Sequence, residues 1–136
     1  MRCFYADRCI NYNRYLRDSY SNIRATVNAI GYNTLLTAPN MVVKGGDYFS
    51  ILIKAMNPGS TGYTWQLPDS IPDNVEFISS KFIEYEHKEG YVGMPGVYLF
   101  TFKAVPFESS YVIELWLKSP TGLKEKTISV PVKIIR

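Results

Sequence analysis

Along residues 12–30, apolar or aromatic side chains recur at Tyr12, Leu16, Tyr20, Ile23, Val27 and Ile30. The steps of three and four place them on one helical face, and Gly31 follows as a C-cap, so the spacing predicts a helix over 12–30. From residue 32 the period changes to two. Asn33–Thr37 and Met41–Val43 read as short strands divided by Ala38-Pro39-Asn40, and Gly45-Gly46-Asp47 reads as a turn. Phe49, Ile51, Ile53 and Ala55 line one face of a strand ending at Met56. Tyr63–Gln66 is a further strand, and Val75–Tyr85 is a long strand or a pair. Tyr98, Phe100 and Phe102 alternate with Leu99, Thr101 and Lys103; Tyr111, Ile113, Leu115 and Leu117 alternate in the same way. Thr127–Ile135 closes the chain, and Pro131 suggests an edge strand or a bulge.

Seven or eight short strands with turn signals about every ten residues predict an all-β fold, an immunoglobulin-like β-sandwich. An isolated helix over 12–30 would be marginal in water and would need a surface to pack against.

Composition divides this picture in two. The chain has 136 residues and a formal charge of +3. Residues 1–40 hold five Arg, two Asp and no Lys or Glu, which is +3; residues 41–136 hold ten basic and ten acidic residues, which is zero. The expected organisation is therefore an N-terminal extension, 1–40, and a sandwich domain, 41–136. With 46% hydrophobic residues the chain is not disordered as a whole, and no apolar run is long enough for a transmembrane helix. The first residues lack the apolar core of a secretory signal, so an intracellular site, or a leader missing from this chain, is expected.

Candidate chemistry is sparse. Cys3 and Cys9 both lie in the extension and read as reduced thiols on a terminal arm. His87 is the only histidine and sits in the charged run Glu84–Glu89, so neither a catalytic triad nor a four-ligand zinc site can be assembled. No enzyme activity, metal or cofactor is expected. The five Arg interleaved with Tyr5, Tyr12, Tyr15 and Tyr20 are too few over 40 residues to indicate nucleic-acid binding, and a solvated face explains them.

Three loops stand out instead. Asn57-Pro58-Gly59-Ser60-Thr61-Gly62-Tyr63 combines a fixed φ at Pro58 with small side chains that leave the main chain bare. Residues 89–96, which end in Gly93-Met94-Pro95-Gly96, form a constrained loop around a soft, adaptable Met. Lys118–Lys124, containing Ser119-Pro120-Thr121, joins the last two strands. In a Greek-key sandwich such loops can cluster at one end of a rigid scaffold.

These residues resemble a known family. Asn57-Pro58 with Thr61-Gly62-Tyr63 and Trp65 is similar to the Asn-Pro-x-Thr-Gly-Tyr/Phe-x-Trp signature of chagasin-type inhibitors of papain-like cysteine proteases. Gly93–Gly96, followed by Tyr98–Ala104, resembles that family's Gly-x-x-Gly loop and its Phe-x-Phe-Lys-Ala strand. Ile113–Thr121 aligns with the strand entering the family's third loop, Arg-Pro-aromatic. The resemblance covers about residues 41–136. It implies a reversible inhibitor, monomeric and without a membrane span, whose three loops enter the protease cleft as a wedge. Asn57–Tyr63 would cover the catalytic Cys and His, with Thr61 beside them. Gly93–Gly96 would follow the unprimed subsites through backbone hydrogen bonds, and Ser119–Thr121 would reach the primed side.

Three departures change the expectation. The central loop has one extra residue. The third loop keeps only Pro120, having lost both the Arg and the aromatic. Val105-Pro106-Phe107 echoes the lost motif one strand too early and reads as a hairpin turn. Residues 1–40 have no counterpart beyond a short strand near 33–37. Loss of the aromatic removes an anchor worth about 2 kcal/mol, so weaker or narrower inhibition is expected. The alternative reading is a non-inhibitory immunoglobulin-like interaction module, a scaffold that persisted after its third loop decayed.

Overall fold

A computed structural model describes residues 23–30, 40–56, 58–84 and 95–136. Among the described residues, eight strands form two four-stranded sheets. β1 (Arg24–Asn28), β3 (Tyr48–Met56), β6 (Pro95–Ala104) and β5 (Val75–Glu84) lie side by side in that order. The second sheet runs β2 (Met41–Lys44), β8 (Lys124–Ile135), β7 (Ser109–Lys118) and β4 (Thr64–Gln66). One helical turn, α1 (Pro58–Thr61), joins β3 in the first sheet to β4 in the second. The all-β sandwich read from the sequence is the fold of the protein.

Alternation explains the strands. Successive side chains of a strand face opposite ways, so every second residue must be apolar where one face is covered. Phe49, Ile51, Ile53 and Ala55 of β3 stand opposite Phe102, Phe100, Tyr98 and Gly96 of β6. They join Ile113, Leu115, Ile128, Val130, Val132 and Ile134 of the second sheet in one buried cluster. Phe49 stacks on Phe102 at 5.4 Å between ring centroids, and Phe82 meets Tyr98 edge-on at 4.9 Å. Aromatic pairs at such spacings add to the area they bury. Trp65 of β4 is buried in the same cluster.

The N-terminal helix needs correction. Residues 24–28 are a strand, parallel to β3, with Ala25 opposite Ile51 and Val27 opposite Ile53. Ile23, Val27 and Ile30 fit a helical step, but Ile23, Ala25, Val27 and Ala29 fit a step of two equally well. Ala25 and Val27 are buried, whereas Arg24, Thr26 and Asn28 are exposed. The β-branched pair Thr26-Val27 favours the extended form, and the ladder with β3 decides it. β1 thus precedes residue 40 in sequence yet belongs to the sandwich. The rest of the predicted helix, 12–22, and the strand expected at 33–37 lie outside the described residues.

Pro131 also needs correction as an edge-strand marker, because β8 is flanked by β2 and β7. The ladder with β2 starts at Val132, so among the described residues nothing pairs on that side at Pro131, which stands opposite Val112 of β7. The Pro is tolerated there for the reason it is tolerated on an edge. Val75–Glu84 is a single strand, irregular between Phe77 and Ser79. Residues 105–108 connect β6 to β7, as the hairpin reading requires.

Two buried phenols predict an alkaline weakness. Burial pushes the Tyr98 hydroxyl up, and raises that of Tyr111 from 10.0 to about 12. The fold favours the neutral phenol, so its stabilising share is complete below the unfolded value and is lost as pH rises through the folded one. For Tyr111 the window runs from 10.0 to about 12. Among the described residues its Oη is buried without a hydrogen-bond partner, so Tyr111→Phe is expected to leave the Tm at pH 8 unchanged or higher. Thermal melts at pH 8 and pH 11 check this: the wild type should lose more Tm between them than the variant, and equal losses would contradict it.

Candidate functional site

The ends of the strands fix where the loops stand. Met56 at the end of β3 is in register with Pro95 at the start of β6, and Glu84 at the end of β5 with Gly96. In the other sheet, Thr64 at the start of β4 faces Lys118 at the end of β7, which faces Lys124 at the start of β8. α1 links the two sheets across this same end. The segments after β3, between β5 and β6, and between β7 and β8 therefore all leave the sandwich at one end.

The central loop is built from Pro58 onward. Its fixed φ suits the first position of a helical turn, where no N–H is needed. The Gly62 N–H donates to the Pro58 carbonyl at 2.8 Å and closes α1. Gly62 then takes φ +75, a left-handed conformation that ends a helix and that other residues rarely adopt. The Tyr63 N–H donates to Thr61 Oγ1 at 3.1 Å, so the Thr61 side chain braces the exit from the turn. Gly59, Thr61, Gly62 and Tyr63 are exposed. Ser60 lies within α1. Asn57 is outside the described residues.

The third loop touches the first. A β-carbon on Gly62 would lie 2.7 Å from Pro120 Cγ and 3.3 Å from its Cβ. Glycine at this position thus serves two purposes, the left-handed turn and close contact with Pro120. The third loop is closed on itself. The Ser119 N–H donates to the Leu123 carbonyl and the Gly122 N–H to the Ser119 carbonyl, each at 2.9 Å. The Ser119 and Thr121 hydroxyls are 2.9 Å apart, and Gly122 turns with φ +87. Leu123 is 65% exposed beside this turn. Lys124 Nζ sits 4.6 Å from the Trp116 ring centre, a cation–π contact at the base of the loop.

Of the Gly-rich loop, Pro95 and Gly96 are described, and both lie inside β6; Gly93 and Met94 are outside the described residues. Gly96 is buried. A β-carbon there would collide with the Ile83 carbonyl oxygen and come within 2.7 Å of the Phe82 ring. This glycine is required by the protein's own strand packing, a role not read from its place in a loop motif.

Two further features were not read from the sequence. A cleft of about 640 Å³ opens at this end, lined by Ile30, Met56, Thr61, Tyr63, Leu117 and Lys126, among others. Met56 and Tyr63 are each 40% exposed on its wall. The signal was an apolar Met56 directly after a completed inward alternation. Leu123 is the second feature, and its signal was an apolar residue directly after a Gly turn. No residue from Asn57 to Tyr63 or from Ser119 to Leu123 is charged. Among the described residues no three His, Cys, Asp or Glu side chains group as metal ligands, and no helix is long and apolar enough to cross a membrane.

Residues 42–133 match the model of the chagasin family of peptidase inhibitors, I42. The chain belongs to the chagasin family. The match takes in β2 to β8 and all three loops, and the family is one of inhibitors, not of enzymes. No curated protein matches the chain. Among solved structures, the cysteine protease inhibitor EhICP2 from Entamoeba histolytica is similar in fold, at 18% identity and a TM-score of 0.58 over 83% of this chain and 96% of that one. The solution structure of amebosin is similar at 20% identity and a TM-score of 0.52, over 82% of this chain and 95% of that one. As a chagasin-family chain this protein is a protease inhibitor, in a fold it shares with an inhibitor of cysteine proteases.

Proposed function

We propose that the protein is a reversible inhibitor of papain-like cysteine proteases that presents Asn57–Tyr63, Gly93–Pro95 and Ser119–Thr121 as one wedge, with Gly96 buried in β6 at the base of the Gly-rich loop. The observation that carries this reading is the contact between Gly62 and Pro120 at the loop-bearing end of a family-matched sandwich. A wedge of this kind needs rigid main chain with little side chain in the way. The closed turn at 58–62, braced by Thr61 Oγ1, supplies the rigidity. Affinity then comes from preorganisation, because little conformational freedom remains to be lost on docking. The uncharged central and third loops avoid the desolvation cost of burying an unpaired charge against the enzyme.

Pro120 acts as a buttress behind Gly62, which accounts for a third loop that retains its proline without the flanking Arg and aromatic. Leu123 offers the apolar tip that the missing aromatic would have provided. It is smaller, so its contact area is smaller, and inhibition is expected to be weaker than with the full motif. The unit that acts is a monomer, with residues 1–40 contributing β1 to its scaffold.

The test is direct. Purified protein is expected to inhibit papain reversibly with a Ki below about 1 µM, the affinity of a modest specific interface. Papain activity unaffected at tens of micromolar would refute the proposal and favour a non-inhibitory interaction module.

A further inference from the structure

The base of the third loop joins two like charges. Lys118 ends β7 and Lys124 starts β8, and the two stand directly opposite each other in the ladder. Like charges so placed repel. The ladder is also irregular there, with a register shift between Leu117 and Lys118, so regular pairing does not pin the hairpin at its base. One side chain bears on both points. Trp116 faces away from the core, because its neighbours Leu115 and Leu117 face into it. A large aromatic on that side has no core to fill, yet Trp116 is half-buried. Lys118 Nζ lies 5.8 Å from its ring centre and Lys124 Nζ 4.6 Å. The negative face of an indole attracts an ammonium at such distances, and attraction of both groups to one ring offsets their repulsion. The Trp116 Nε1–H donates to Glu114 Oε1 at 3.0 Å, which fixes the edge of the ring.

We propose that Trp116 is a positioning residue of the wedge: it clamps the two arms of the third loop and so holds Pro120 against Gly62. The effect on binding rests on the inhibitor reading, whereas the clamp is a property of the free protein. Between the two lysines the loop carries its own bonds, from the Ser119 and Gly122 N–H groups to main-chain carbonyls and from the Leu123 N–H to Ser119 Oγ at 3.2 Å. These bonds shape the turn and leave its tilt over the sandwich to the base. A tilt at the base moves Pro120, whose Cγ would lie 2.7 Å from a β-carbon on Gly62. The two loops therefore keep their contact only over a narrow range of tilt, and the indole sets it by gathering one ammonium from each arm. With the loop clamped, the free protein is already in the shape that docks. Released, its apparent affinity falls by the fraction of molecules that keep that shape.

Amide hydrogen exchange in the free full chain, with papain inhibition alongside, tests this. Trp116→Leu keeps apolar bulk and loses the aromatic face. Its exchange at Ser119, Gly122 and Leu123 is expected to be about tenfold faster than in the wild type, with exchange in β3 and β6 unchanged. Its Ki for papain is expected to rise about fivefold. Trp116→Phe keeps an aromatic face and is expected to stay within about twofold of wild type in both. Lys124→Met keeps the stem and removes the charge, so exchange at the same amides is expected to be about threefold faster; a role in packing alone would not respond to it. Unchanged loop exchange in Trp116→Leu and Lys124→Met overturns the proposal, as does loop exchange that rises only together with that of β3 and β6, the mark of global destabilisation. Faster loop exchange at an unchanged Ki overturns the positioning role. Should the wild type leave papain unaffected, the inhibitor reading fails, and loop exchange still decides whether Trp116 clamps the hairpin.

Discussion

Thr61→Arg is expected to weaken inhibition of papain by about 100-fold or more, equivalent to about 2.7 kcal/mol of binding energy. Thr61 is exposed at the end of α1, at the centre of the proposed wedge. A charged side chain there would have to be buried without a partner against the enzyme, and would hold the bare main chain away from the cleft. The cost to folding is smaller. The hydrogen bond from the Tyr63 N–H to Thr61 Oγ1 is lost, a contribution of about 1 kcal/mol, or about 5 °C in Tm. Thr61→Ser keeps that oxygen and is expected to inhibit within about threefold of wild type. Inhibition constants and thermal melts of both variants separate binding from stability. An Arg variant that inhibits like the wild type would remove Asn57–Tyr63 from the interface. Gly62→Arg is less informative, because φ +75 and the proximity of Pro120 would disturb the fold as well.

The second large effect is on stability. Gly96→Val is expected to destabilise the protein by about 3 kcal/mol or more. The new side chain would meet the Ile83 carbonyl oxygen and the Phe82 ring, and backbone on the paired strand cannot yield as a side chain can. Denaturant unfolding measures the loss, and a variant within about 1 kcal/mol of wild type would show that β5 can move aside. Inhibition measured on the fraction that remains folded should change much less than for Thr61→Arg, since Gly96 is buried within β6. A variant of wild-type stability with lost inhibition would instead place Gly96 at the interface.

The difference between these two residues shows how far local pattern reaches. Phe49, Ile51 and Ile53 declare a strand and its buried face, because a period of two can be satisfied in only one way against a core. The loop motif around Thr61 and Gly62 is likewise local: its turn is closed by bonds within five residues. Gly96 looks in sequence like another loop glycine. Its requirement for no side chain comes from Ile83 and Phe82, thirteen and fourteen residues away, and exists only once β5 pairs with β6. Residues 23–30 failed for the same reason in reverse. Their apolar spacing suits a helix or a strand, and the ladder with β3 chose the strand by giving Ala25 and Val27 a core to enter.

The sequence by itself determined the fold class, the main core strands, the bare turn at 58–62 and the charge-neutral character of residues 41–136. Each depends on residues close together along the chain or on composition. Only the tertiary structure decided that β1 joins the sandwich, that Pro120 stands against Gly62, and that Met56 and Leu123 are exposed at the loop-bearing end. Those facts depend on which distant segments meet. Pairing between segments far apart in sequence leaves no periodic mark on either of them, because the free energy that selects it belongs to the pair.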